Sequence, residues 1–304
     1  YFFNGKAYLC YNHRQLTPQG MEFSFKHKEK TYHSFEAVWQ VEKAKDNILE
    51  ARGAWQELPG LTLIWRLTLI DKGEIKSEVF LENKETLEIK EVNLNVPILK
   101  EYKSYTTFKK RKTFPKDKIA CRVDFPYVGI EQYNLLPALL LYSQQTKISN
   151  FLIVGNAKEI GYPYHYVGIE SALPSKEIKL SAGLHALNNL NICVFFDDPK
   201  GWIAKIEEIT YKFTLKKDPL HLYFFNGKAY LCYNHRQLTP QGMEFSFKHK
   251  EKTYHSFEAV WQVEKAKDNI LEARGAWQEL PGLTLIWRLT LIDKGEIKSE
   301  VFLE

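Results

Sequence analysis

The sequence predicts an all-β protein built as an antiparallel β-sandwich. Three observations lead there. Apolar and polar residues alternate with period two over several long stretches, turn residues punctuate those stretches, and few segments carry helical spacing. A further observation sets the organisation. Residues 223–304 repeat residues 1–82 letter for letter, at an offset of 222.

The repeat comes first, because missing one misassigns the architecture. Solenoid and propeller units run to roughly 20–50 residues, whereas an all-β domain often reaches about 200–250. Residues 1–222 are therefore read as one complete sandwich unit, and residues 223–304 as a restart of it. Residues 83–304 are equally complete, as a circular permutation. Perfect identity is expected from recent duplication, from engineering, or from a window cut out of a longer array. Glu304 stops where its twin Glu82 runs on into a turn, leaving a strand without its sequence neighbour. Native proteins cover such edges, so the natural ends are expected elsewhere. Residues 223–304 are expected to repeat the conformation of 1–82, with one copy completing the sheet formed by 83–222. The other copy then starts a second unit or pairs with a neighbouring molecule.

The elements follow in order. Met21, Phe23 and Phe25 alternate with polar residues, Lys28-Glu29-Lys30 turns, and Phe35, Ala37, Trp39 and Val41 alternate again. This predicts a hairpin. Leu61, Leu63, Trp65, Leu67 and Leu69 form one apolar stripe, and Asp71-Lys72-Gly73 supplies turn chemistry. Ile75 to Leu81 leads back, Asn83-Lys84-Glu85 turns, and Leu87, Ile89 and Val92 follow, predicting a three-stranded meander. Later strands are expected at Ala120–Val123, Phe151–Val154, Ile192–Phe196 and Ile206–Leu215. Leu135–Ser143 reads as a strand or a short helix. A sheet with one apolar face must bury it, and with few helices a second sheet is the natural partner. Trp39, Trp55, Trp65 and Trp202 are assigned to the core.

Composition bounds the function. Aromatic and apolar content suits a large core and excludes a disordered chain. No apolar run approaches the roughly 18 residues of a membrane helix, and no signal peptide opens the sequence. Cys10, Cys121 and Cys193 are an odd set per unit without metal-ligand spacing. They point to reduced thiols and a reducing cytoplasm rather than disulfides or zinc. No cofactor or metal is expected. Residues 1–82 carry equal numbers of acidic and basic side chains, so the net charge of +5 belongs to 83–222. Its densest part is Lys100 to Lys118, which includes Lys109-Lys110-Arg111-Lys112. A basic run with interleaved Tyr102, Tyr105, Phe108 and Phe114 suits an anion, but the overall charge is too modest for a dedicated nucleic-acid protein.

Two stretches carry resemblances. Leu61–Leu99, "LTLIWRLTLIDKGEIKSEVFLENKETLEIKEVNLNVPIL", resembles the large β-sandwich of galactose-mutarotase-like domains, which sit beside many glycoside hydrolase catalytic domains. It covers about 40 residues and implies a sandwich, with no catalytic residue to carry over. Lys30–Ala44, "KTYHSFEAVWQVEKA", is similar to a segment of the NADAR family of N-glycosidases, as is Phe151–Ile160, "FLIVGNAKEI". That resemblance implies Glu36 as the residue to test. The family places its glutamate on a helix, whereas the alternation here favours a strand.

One local duplication suggests a binding site. Tyr127-Val128-Gly129-Ile130-Glu131 recurs as Tyr166-Val167-Gly168-Ile169-Glu170. Asp124-Phe125-Pro126 precedes the first and Gly161-Tyr162-Pro163-Tyr164-His165 the second. Aromatic rings stack on the apolar face of a pyranose and carboxylates accept its hydroxyl hydrogens. The expected saccharide ligands are thus Asp124, Tyr127, Glu131, Tyr162, Tyr164, His165, Tyr166 and Glu170. On adjacent loops, Glu131 and Glu170 would form the carboxylate pair that glycoside hydrolysis needs. The plainer reading makes the two segments equivalent strand starts, and it weighs more.

Three functions follow from the sequence: a non-catalytic carbohydrate-recognising or glycosidase-associated module in a tandem array, a structural or adhesive repeat that assembles end to end, and a NADAR-like N-glycosidase. Tandem copies raise effective concentration for a binding module, and fibres require them. A catalytic domain gains little from a perfect copy of itself. The first reading leads, with saccharide as partner, self-association through the repeated segment as a second partner mode, and no membrane.

Overall fold

The computed structural model describes residues 1–70, 73–107, 111–114, 120–123, 127–143, 150–154, 164–170, 177–211, 214–217, 219–225, 227–233, 236–277, 279–292 and 295–304. Among the described residues strands dominate and all strand pairings are antiparallel, and the chain divides into two compact units. The first comprises residues 1–145 and 149–199, the second 146–148 and 200–304.

The first unit is a sandwich-like all-β body. Its larger sheet has nine strands, in the order Arg111–Thr113, Ser104–Thr106, Tyr127–Ile130, Ala138–Tyr142, Gly183–Phe195, Glu74–Asn83, Leu61–Ile70, Ile48–Ala54 and Val38–Lys45. The second sheet runs Ala120–Val123, Asn150–Val154, Tyr164–Glu170, Leu87–Leu99, Glu22–His27 and Lys30–His33, with Ile178–Leu180 also on Leu87–Leu99. Period-two alternation puts Leu63, Trp65, Val79, Leu81, Leu139, Leu141, Leu190 and Ile192 on the inner face of the first. Phe23, Phe25, Leu94, Val96 and Ile98 come from the second, and all join one buried cluster. Trp55 sets its edge against Phe25 at 5.4 Å, and the Trp65 indole N–H donates to Ser77 Oγ at 2.8 Å inside the core. Trp55 and Trp65 are buried as expected, whereas Trp39 and Trp202 are half-buried.

Several connections differ from the sequence expectation. The hairpin of Glu22–His27 closes with Lys30–His33, not with the Phe35–Val41 stretch. A short 3-10 turn, Ser34–Glu36, then redirects the chain, and Val38–Lys45 enters the other sheet beside Ile48–Ala54. The meander consists of the four strands from Val38 to Asn83, and Leu87–Leu99 leaves it for the second sheet. Asn83 pins that crossover, donating to the Ser181 carbonyl at 2.9 Å. Pro97, which has no N–H to give a ladder, lies beyond the last pair that its strand forms with Glu22–His27. Residues 199–211 form a helix rather than the start of a strand. Ala120–Val123, Asn150–Val154 and Gly183–Phe195 are strands, and Ala138–Tyr142 settles the Leu135–Ser143 segment as one.

In the second unit, residues 223–304 keep the local pairings of 1–82. Val260↔Ala276 and Trp261↔Gly275 repeat Val38↔Ala54 and Trp39↔Gly53, and Trp287↔Val301 repeats Trp65↔Val79. Leu220–Phe225 pairs with Thr214–Lys217 on one side and Lys228–Tyr233 on the other. Leu215, Leu220 and Leu222 are buried in a cluster with Leu271, Leu289 and Leu291.

Candidate functional site

The two Tyr-Val-Gly-Ile-Glu segments are strands in different sheets, not adjacent loops. Tyr127–Ile130 lies between Ala138–Tyr142 and Ser104–Thr106, with Tyr127 opposite Tyr142 and Gly129 opposite Thr106. Tyr164–Glu170 lies between Leu87–Leu99 and Asn150–Val154, with Tyr166 opposite Pro97 and Glu170 opposite Asn93. The ring of Tyr127 is buried and presents no stacking face to solvent. For Tyr164, Tyr166 and Glu170 the described feature is the strand backbone. Asp124 and Tyr162 lie outside the described residues.

Glu131 and His165 have defined surroundings. Glu131 follows its strand directly, and its backbone N–H donates to the Ser104 carbonyl at 3.2 Å. Its carboxylate accepts from Ser104 Oγ at 2.8 Å and Thr106 Oγ1 at 3.2 Å, and pairs with Arg111 at 2.6 Å. Next to it Lys103 lies over the Tyr133 ring, 5.6 Å from its centroid. The arrangement is a carboxylate, two hydroxyls and a guanidinium along one edge of the nine-stranded sheet. The His165 ring stacks on Phe114 at 4.2 Å and 4°, and Phe114 in turn meets Tyr105 at 5.2 Å. This stack ties the strand of the second motif to the hairpin that holds Glu131. Burial lowers the His165 imidazole from its ordinary value, disfavouring its charged form. Nearby, Tyr102 donates to the Pro137 carbonyl at 2.7 Å, and burial raises its phenol far above the ordinary value.

Glu36 occupies the Ser34–Glu36 turn, is exposed, and accepts the His33 backbone N–H at 2.9 Å. It closes a capping turn, and Trp39 donates its indole N–H to the Ser34 carbonyl at 2.7 Å in the same corner. Among the described residues no group of three or more His, Cys, Asp or Glu is placed to hold a metal. Also among the described residues, no helix is long and apolar enough to cross a membrane. Of the described cysteines, Cys10 is exposed and Cys193 and Cys232 are buried.

The sequence reading missed one concave feature. A cavity of about 420 Å³ opens in the first unit between the N-terminal segment and the strands from Ile48 to Ile75. Tyr8, Leu49, Leu67, Leu69 and Ile192 are among its apolar lining, with Asp46 and Asn47 the polar members. Tyr1 and Tyr8 stack at its wall, 4.8 Å apart and 11° from parallel. Its size falls in the range of ligand sites, but such sites normally converge several polar groups on their contents, and this one supplies two. Its residues come from separate strands whose alternation reads simply as core, so no local pattern marks it.

No protein-family model matches the chain, and no curated protein matches it.

Proposed function

We propose that the chain is a non-catalytic structural and interaction module of a tandem array, in which copies follow one another along one polypeptide. The observation carrying this reading is the behaviour of the second copy. It keeps the registers of the first in a separate compact unit, and it closes its core with Leu215, Leu220 and Leu222, the residues directly ahead of it. A unit that completes the next copy with its own last strands suits a continuous array. The Glu131 and Glu36 carboxylates support the same reading, since each is engaged with neighbouring backbone or strands and neither lines the cavity. The test is to lengthen the chain by whole 222-residue copies and stretch single molecules. Each added copy should contribute one further unfolding step of equal length. Steps of scattered length, or no added step, would refute the array.

A second reading, saccharide recognition, rests on the Glu131 surroundings. Ser104, Thr106 and Arg111 gather around its carboxylate, and Tyr133, two residues on in the chain, offers a ring with Lys103 over it. Hydroxyl-rich ligands use this combination of ring and fixed polar groups. Glycan-array binding that disappears in both Glu131→Gln and Tyr133→Ala would support it. Binding unchanged in both variants, or absent throughout, would end it.

A further inference from the structure

The two copies share every letter but not their surroundings, so a difference in burial between twins reports what their flanks supply. Leu69 is 56% exposed, and its twin Leu291 is 2% exposed. Leu49 and Leu67 are half-buried, whereas Leu271 and Leu289 are fully buried. Tyr8 is half-buried, and Tyr230 is buried. All four first-copy residues line the 420 Å³ cavity.

The second copy shows what fills the equivalent space. Thr214–Lys217 packs against Ile270–Ala276 and Thr284–Leu291, and Leu215 and Leu222 are fully buried among Leu271, Leu289 and Leu291. The backbone agrees. Leu220–Phe225 pairs with Lys228–Tyr233 along its whole length, from Leu220↔Tyr233 to Phe225↔Lys228. In the first copy the matching pairs are Phe2↔Ala7 and Phe3↔Lys6, with the Tyr8 N–H donating to the Tyr1 carbonyl at 2.8 Å. The positions opposite Leu9, Cys10 and Tyr11 are those that Leu222, His221 and Leu220 take in the second copy.

The receiving edge keeps its shape without an occupant. Leu9 donates its N–H to Thr17 Oγ1 at 2.9 Å, as Leu231 does to Thr239 Oγ1 at 2.8 Å. The Leu9 carbonyl accepts from Leu16 at 2.8 Å, as the Leu231 carbonyl does from Leu238. A preformed edge needs little ordering to bind, and an added strand gains main-chain hydrogen bonds together with side-chain pockets.

We infer that the cavity of the first copy is a β-strand acceptor site. Its occupant is a second copy of the segment Thr214–Leu222, joined directly ahead of Tyr1 as it is joined ahead of Tyr223. The added Leu222 and Leu220 pair with Leu9 and Tyr11, and the added Leu215 covers Leu49, Leu67 and Leu69. The inference rests on the array reading for this linkage. The acceptor site itself stands on the burial difference between twins.

The test compares the 304-residue chain with the same chain extended ahead of Tyr1 by the sequence of Thr214–Leu222. Both carry Leu69→Cys, a reporter at an exposed position of the cavity wall, and alkylation at that position is followed by peptide mapping. The extension should slow labelling by about tenfold or more. An extension with both Leu215 and Leu222 replaced by Ser should leave labelling fast. Equal labelling with and without the leucine-bearing extension overturns the inference, as does equal protection by the serine extension. Protection by the dye 1-anilinonaphthalene-8-sulfonate but not by the extension also overturns it, in favour of a small apolar ligand. Labelling is insensitive to whether whole copies unfold in equal steps, so the array reading stands or falls separately.

Discussion

A single methyl group at Gly53 measures how far the first copy can yield around Trp39. A Cβ there would meet the Trp39 ring at 2.7 Å, where carbon contacts prefer roughly 3.5–4.0 Å. The ring must therefore retreat by about 1 Å. It is held by its N–H, which donates to the Ser34 carbonyl at 2.7 Å, and by Phe2, edge-on at 4.9 Å. Overpacking costs about 1–3 kcal/mol, and the weakened hydrogen bond up to about 1 kcal/mol. Alanine recovers about 0.4–1 kcal/mol by narrowing the unfolded ensemble. Gly53→Ala should then destabilise the strand pair by about 1–2 kcal/mol, because a half-buried ring can swing outward.

The twin substitution is the control. At Gly275 a Cβ would meet Trp261 at 2.8 Å, but Trp261 is fully buried and has nowhere to go. Gly275→Ala should cost about 3 kcal/mol. Hydrogen exchange read by mass spectrometry separates the copies, because the substituted peptide is heavier by one methylene than its otherwise identical twin. Exchange in Val38–Ala54 should quicken by about tenfold in Gly53→Ala, and exchange in Val260–Ala276 by about a hundredfold in Gly275→Ala. Equal effects in the two copies, or slower exchange in Gly53→Ala, would refute the argument from ring burial.

Three other outcomes are expected. Ser77→Ala strands the buried Trp65 N–H and should cost about 1–3 kcal/mol, read as a lower urea midpoint at unchanged slope. The twin Ser299→Ala should cost less, because Ser299 is exposed and water can replace it. Glu50 is held below the usual carboxylate range, first by its hydrogen bonds from Arg66 and then by Arg52. Its contribution is complete above the unfolded value of about 4.3 and is lost as pH falls through the lower folded value. Acid unfolding of Glu50→Gln should lack that component. His165 is depressed by burial, so the unfolded chain takes the proton first and stability falls as pH drops below about 6.5. His165→Phe should flatten the wild-type slope of denaturation midpoint between pH 7 and 5, and an unchanged slope would count against the buried neutral ring.

Period two made most strands legible, including Leu61–Ile70 and Glu74–Asn83, because each presents one face to the core. It could not say which sheet a strand joins. The Asn83 turn and the Ser34–Glu36 turn have ordinary turn composition, yet each sends the chain to the opposite layer. The same blindness affected the site. Two copies of one pentapeptide took different partners, Tyr142 for Tyr127 and Pro97 for Tyr166, because pairing is set by distant sequence. The helix at Pro199–Tyr211 was readable. Asp198-Pro199 is a start signal, and Trp202, Ile206 and Ile209 follow helical spacing, but the isoleucines suggested a strand. The cavity was not readable at all, since its walls come from the N-terminal segment and from strands of the larger sheet as distant in sequence as Ile192.

The identical registers of the two copies pose a choice during folding. Leu87–Leu99 pairs with Glu22–His27, roughly 70 residues upstream, while the same letters recur roughly 150 residues downstream. Loop closure favours the nearer copy by only about 0.7 kcal/mol, a ratio of about three. Refolding chains should therefore split between two routes, one closing on residues 1–82 and one on the permuted set 83–304. The burial of Leu215 and Leu222 against residues 223–304 biases that split, by engaging the downstream copy before the long loop can close. A sequence that repeats itself perfectly thus leaves its topology to kinetics, and the few residues directly ahead of the second copy act as the arbiter.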